Sequence, residues 1–168
     1  SFHTNEWSPV HELRTEIPAE PAGEEYEAGL LKAIRARGID FPPEKLGSGP
    51  VQILVEDGID MTSAAPRAPE LKAWMRARGA VPEDPSLHAA LLAYTSDLLV
   101  TVAGVYPFDF RLMSPGVSSA SLDHAMWFHE PLRMDDWIYA VHDSPVFKGA
   151  RVMGRALFYA RDGRLVAS

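Results

Sequence analysis

A chain of 168 residues with 46% apolar residues, including seven Phe, five Tyr and four Trp, can fill the core of one ordinary domain, and 23% charged residues suit a water-facing surface, so a disordered chain is excluded. A formal net charge of -7 argues against sequence-independent binding to nucleic acid, because that affinity comes mainly from Lys and Arg neutralising phosphates. The absence of Cys removes any disulfide framework or Cys-based metal site and suits a reducing compartment, so the cytoplasm is the expected location.

No window approaches the roughly 20 apolar residues that cross a bilayer, and no signal core opens the chain, so a soluble protein without a membrane span is expected. Position 1 is Ser, which places the start after processing, after trimming or inside a longer polypeptide. Residues 1–23 read as an extended linker, with Pro9, Pro18 and Pro21 interrupting any helical period and Glu12, Glu16 and Glu20 supplying solvated charge. From Glu24 to Arg37, the spacing of Tyr26, Leu30 and Ile34 predicts a short surface helix that Gly38 ends. A turn-rich patch with Pro42, Pro43, Gly47, Gly49 and Pro50 leads into a β-prone run, Val51 to Val55. After a loop with Pro66 and Pro69, Leu71 to Arg78 alternates Leu71, Ala73, Met75 and Ala77 with Lys72, Trp74, Arg76 and Arg78, which predicts a half-buried strand.

Asp84-Pro85 is a good helix start, since Asp caps well and Pro suits the first helical position. One helix is predicted from Pro85 to about Ala103, ended by Gly104. Its near-continuous apolar run, whose only ionisable groups after His88 are Tyr94 and Asp97, must be buried on most sides. After Pro115-Gly116, the runs Ser119 to His129, Trp137 to Val141, Val152 to Tyr159 and Leu165 onward predict antiparallel strands, with a two-residue turn at Asp162-Gly163. One apolar helix among strands gives an α+β class, the antiparallel sheet wrapped around one long central helix.

The run Ser121-Leu122-Asp123-His124-Ala125-Met126-Trp127-Phe128-His129-Glu130-Pro131 closely resembles the signature of the type II acyl-CoA thioesterases. Leu92-Ala93-Tyr94-Thr95-Ser96-Asp97 and Asp162-Gly163-Arg164-Leu165-Val166-Ala167-Ser168 match the family in order on either side. The resemblance is good from about Val51 to Ser168 and weak before it. It implies the hotdog fold, hydrolysis of fatty acyl-CoA to free acid and CoA, no cofactor and no metal. It also implies two tandem hotdogs in one chain, of which residues 51–168 are the C-terminal one. Residues 1–50 are then a linker and surface helix after a missing N-terminal hotdog, and the partner is that half or another copy, so a homo-oligomer is expected.

The family's catalytic set is an Asp in the central helix, a Thr or Ser opening the signature strand and a Gln in the last strand, which together position a water for attack on the thioester. Carried over by motif, these are Asp97 and Ser121, and the Gln falls three residues beyond Ser168. Read without the family, Asp97 is unusual in a helix interior ahead of Leu98-Leu99-Val100, and a structural hydrogen bond that orients the core is its other reading. Ser121 by itself is an ordinary strand Ser, and no Gly-x-Ser-x-Gly elbow makes it a nucleophile. His124 and His129 invite a metal or triad reading, but five positions along a strand put them on opposite faces. Met126, Trp127, Phe128 and Trp137 are expected in the core, some also lining an acyl pocket. Arg76 and Arg78, or Lys148, Arg151 and Arg155, are candidates for CoA phosphates, against the plainer reading of a solvated sheet edge. Two rivals remain: a non-catalytic acyl-CoA-binding or scaffold hotdog, and a hydratase or dehydratase, for which Asp97 has no His within the next helical turn.

Overall fold

The computed structural model describes residues 14–46, 49–61 and 65–168, so parts of the predicted lead-in, turn patch and β-to-β loop lie outside the described residues. In chain order the elements are β1 (Glu24–Glu25), α1 (Tyr26–Ala36), α2 (Pro43–Leu46), β2 (Val51–Val55), β3 (Glu70–Ala77), α3 (Pro85–Ser96), α4 (Val100–Val105), β4 (Ile138–Lys148), β5 (Arg151–Ala160) and β6 (Leu165–Ala167). The six strands form one antiparallel sheet in sequence order, with α3 and α4 packed on one face, the α+β hotdog arrangement.

Strand alternation builds that face. Val51, Ile53 and Val55 of β2 pair with Ala77, Met75 and Ala73 of β3, and all six are buried. Ile138, Ala140, Phe158 and Val166 continue the layer against Leu92, Leu99, Val102 and Ala103 of the helical layer. Each large apolar side chain so buried contributes about 1.5–3 kcal/mol, which makes this layer the main source of stability.

The outer face departs from the predicted pattern. Trp74 lies on the polar register of β3 yet is 1% exposed, in a cluster with Tyr139 and Tyr159 against which Ile17, Trp137 and Leu165 pack. The lead-in covers this face: the Thr15 amide donates to the Gly163 carbonyl at 3.1 Å, and Arg14 bridges to Arg164. Arg14, Thr15 and Ile17 of the expected linker thus contact the sheet side.

The central helix starts as predicted, with the Asp84 carboxylate accepting from the Ser86 amide at 2.9 Å, but it is interrupted at Asp97–Leu99. The cause is local. Thr95 Oγ1 donates to the Leu91 carbonyl at 2.7 Å and Ser96 Oγ to the Ala93 carbonyl at 2.8 Å, offering the backbone competing partners. The Leu98 amide turns back only three residues, to Thr95. The helix then restarts at Val100 against β5, so close that a Cβ on Gly154 would lie 2.5 Å from the Val100 carbonyl oxygen. Burial on most sides holds for α4, whereas α3 leaves Tyr94 53% exposed. Contrary to the sequence reading, Pro85–Val105, 21 residues, is long and apolar enough to cross a bilayer by length and composition alone; half of its most apolar stretch is buried as the domain's core helix.

The predicted strand Ser119 to His129 is instead extended chain. Among the described residues no backbone hydrogen bond holds residues 118–126, and pairing beside β6 begins only where the Trp127 amide donates to the Ser168 carbonyl at 2.8 Å. β6 is only three residues long and offers few partners. The turn at Asp162-Gly163 is a longer loop than predicted: Ala160 and Arg164 close it, with Gly163 at φ 81°. An unforeseen two-residue hairpin joins β4 to β5 through Gly149 and Ala150, both at positive φ.

Candidate active site

The helix interruption decides what Asp97 is. Instead of a buried carboxylate inside a helix, as the apolar run predicts, Asp97 caps α3 and is exposed. Facing it across 24 positions of sequence, Ser121 Oγ donates to Asp97 Oδ1 at 2.7 Å. Both candidate residues thus meet at the surface, where water reaches them.

A second contact runs beside the first. His124 Nε2 lies 3.0 Å from Ser96 Oγ, so two adjacent residues at the end of α3 bind two residues of the signature segment. Sequence reasoning missed it. Strand alternation puts positions three apart on opposite faces, but this stretch is in no ladder and does not obey the alternation. The one available signal was the hydroxyl pair Thr95-Ser96 inside an apolar helix. His129 turns elsewhere, its Nε2 lying 2.9 Å from Ser168 Oγ. Among the described residues, no group of three or more His, Asp or Glu side chains is placed to hold a metal ion.

The aromatic expectations divide. Trp137 stands edge-on to Trp74 in the outer cluster, with ring centroids 6.4 Å apart, and Met126 packs partly buried against the core. Trp127 and Phe128, expected in the core, are 63% and 46% exposed, because the segment that carries them pairs only with the edge of β6. With Leu122 and Tyr94, they leave exposed apolar surface on the elements that carry the pair.

Arg76, Arg78 and Arg155 have other partners. Arg76 Nε donates to Gln52 Oε1 at 3.0 Å and its guanidinium lies over the Trp137 ring, while Arg78 is paired with Glu25 and Glu27. An open cavity of about 530 Å³ lined by Gln52, Arg76, Arg78 and Asp135 lies there. Asp135 of its lining follows Met134, whose amide donates to His88 Nδ1, and about 13 Å of helix separates His88 from Asp97. On the β4–β5 hairpin, both nitrogens of the Arg155 fork donate to Asp143 at 2.8 and 2.5 Å, and these bonds hold the Asp143 carboxyl below its ordinary range.

A family model described as acyl-CoA thioesterase matches residues 63–168. Over 120 residues the chain is 32% identical to "Acyl-coenzyme A thioesterase 8" of Mus musculus, covering 71% of this chain and 37% of that protein. It is 29% identical to "Acyl-CoA thioesterase 2" of Haemophilus influenzae over 100 residues, 59% of this chain and 35% of that one. Among solved structures, the acyl-CoA thioesterase II TesB2 from Mycobacterium marinum superposes with a TM-score of 0.61 at 25% identity, covering 94% of this chain and 56% of that one. The chain spans little more than a third of these two curated relatives. Matched over most of its length by the family model and carrying the fold of a solved member, the chain belongs to the type II acyl-CoA thioesterase family.

Proposed function

We propose that this chain takes part in hydrolysing fatty acyl-CoA to free acid and CoA, with a water held between Asp97 and Ser121. The observation that carries the reading is the 2.7 Å hydrogen bond joining the helix break to the signature segment. Ser121 spends its one hydroxyl proton on Asp97, so its lone pairs are left to accept a hydrogen from water. Asp97 Oδ2 accepts the other, and the water's own lone pair then points outward at a thioester carbonyl. Attack forms the C–O bond and passes a proton to Asp97. Collapse of the tetrahedral intermediate breaks the C–S bond, and the CoA sulfur leaves with that proton. A general base so placed contributes about 10²–10⁴-fold.

The resemblance adds two expectations to this proposal: a Gln outside residues 1–168, and a second hotdog, from an N-terminal half or another copy, that completes the acyl-CoA groove. Exposed Tyr94, Leu122, Trp127 and Phe128 support such a cover, because a second hotdog would take these large apolar side chains out of water. The exposure of Asp97 and Ser121 favours one second reading, an acyl-CoA-binding or scaffold hotdog without catalysis. Thiol release from an acyl-CoA series, measured with the chain joined to that Gln and second hotdog, separates the two. Under the proposal Asp97→Asn and Ser121→Ala both lower kcat with circular dichroism unchanged; binding of acyl-CoA without release, equal in all three proteins, would leave only the scaffold reading.

A further inference from the structure

Residues 118–126 carry the Ser121 hydroxyl yet have no backbone–backbone hydrogen bond among the described residues, so two side-chain hydrogen bonds, with Met126 packed on the core beyond them, fix where Ser121 stands. One of those contacts is Ser121 to Asp97, between two exposed groups that water can separate. The other is different in kind. Ser96 is only 5% exposed, and its hydroxyl proton is committed to the Ala93 carbonyl at 2.8 Å. Towards His124, 3.0 Å away, Ser96 Oγ can therefore only accept. This fixes the proton of His124 on Nε2 and leaves Nδ1 without a partner among the described residues.

We propose that His124 is a positioning residue, whose Nε2–H bond to the buried Ser96 hydroxyl sets the register in which Ser121 meets Asp97. The inference rests on the reading of Asp97 and Ser121 as the water-holding pair. Ser96 and Asp97 are consecutive, and His124 follows Ser121 by three residues, so the two contacts form a clamp between one helix end and one extended segment. A slip of the segment by one residue would break both at once. The Nε2–H bond holds the segment without passing a proton, so the clamp gives this ring no part in the pH–rate profile. A ring acting as acid or base would behave otherwise, and that difference separates positioning from proton transfer.

The test compares the unaltered chain with S96A, H124L, H124Q and the S96A/H124L pair, reading thiol release and the side-chain NMR shifts of Ser121, Asp97 and the His124 ring nitrogens. S96A and H124L each lower kcat about tenfold with KM nearly unchanged, the pair is no slower than either alone, and the pH–rate profile keeps its shape. H124Q, whose amide N–H reaches the position of Nε2–H, recovers most of the rate. In the same samples S96A and H124L shift the Ser121 and Asp97 signals while H124Q leaves them, and His124 of the unaltered chain carries its proton on Nε2. Unchanged Ser121 and Asp97 signals in S96A, a proton on Nδ1 of neutral His124, or an altered pH profile in H124Q would overturn the clamp. Absence of thiol release from the unaltered sequence joined to its Gln and second hotdog would count against the water-holding reading instead, and the NMR signals would still decide whether His124 positions Ser121.

Discussion

The restart of the central helix against β5 gives the sharpest test of how the fold holds its site. Replacing Gly154 with Ala would put a methyl group 2.5 Å from the Val100 carbonyl oxygen and 2.4 Å from Val100 Cγ2. The side chain can turn away, but the carbonyl belongs to the helix backbone. Reaching the 3.4 Å at which ordinary contact begins requires α4 to retreat from β5 by about 0.9 Å, an overpacking strain of about 1–3 kcal/mol. With a urea m-value of about 2 kcal/mol/M, the unfolding midpoint should fall by about 0.5–1.5 M. Gly104→Ala is the control, because there the clashing atom is Val152 Cγ2 at 2.1 Å, a side-chain end that can rotate, and the loss should be smaller. Val100 lies three residues after Asp97, so Gly154→Ala should also move the Asp97–Ser121 contact and its NMR signals. If Gly154→Ala unfolds at the same urea concentration as the unaltered chain, or Gly104→Ala costs more, the close approach of α4 to β5 is not what the structure depicts.

Ala150 sits at φ 58° in the β4–β5 turn, so Ala150→Gly should raise stability by about 0.5–1 kcal/mol in the same urea titration despite the flexibility that Gly adds to the unfolded chain. Arg111 is fully buried, donating to the carbonyls of Phe108, Phe110 and Ala65 and lying 3.5 Å from Asp60; Arg111→Met should cost about 3–5 kcal/mol, seen as a large drop in thermal midpoint, because it removes a buried charge that four acceptors share. His142 is buried on the core face of β4 with no partner for either ring nitrogen among the described residues, and burial pushes its pKa down to about 4. The folded state therefore binds this proton less readily than the unfolded chain. Stability should be full above about pH 6.5 and fall by about 3 kcal/mol towards pH 4, a slope that His142→Leu should flatten in denaturation curves measured across that range.

The sequence made some of this fold legible because the deciding forces are local. β2 runs over the predicted Val51–Val55, since β-branched alternation needs only its own residues, and α3 begins at the Asp84-Pro85 cap that fixes it. The burial of Trp74 was not legible: it depends on Ile17, more than fifty positions away, and alternation alone assigns Trp74 to the solvated face. The pair Asp97 and Ser121 could be named only through the family signature, because nothing in either neighbourhood states that they meet. His124 was weighed as a metal or triad ligand by strand geometry, and that geometry fails wherever an extended segment has no ladder to enforce it.

The helix break resolves a conflict that the composition sets up. A continuous apolar helix under a sheet buries well, but a charged carboxylate inside it is costly unless fully paired, and water would have no route to it. Thr95 and Ser96 remove the conflict by drawing their hydroxyls back to the preceding turn, so the helix ends where the carboxylate begins. Leu99 and Val102 then resume burial on the far side, held down where Val100 meets Gly154. Ser96 thereby has two partners for one hydroxyl: as donor it helps end the helix, and as acceptor it receives His124. The residue that exposes Asp97 is thus also the one that anchors the segment bringing Ser121 to it, which couples the presentation of the carboxylate to the placement of its hydroxyl partner.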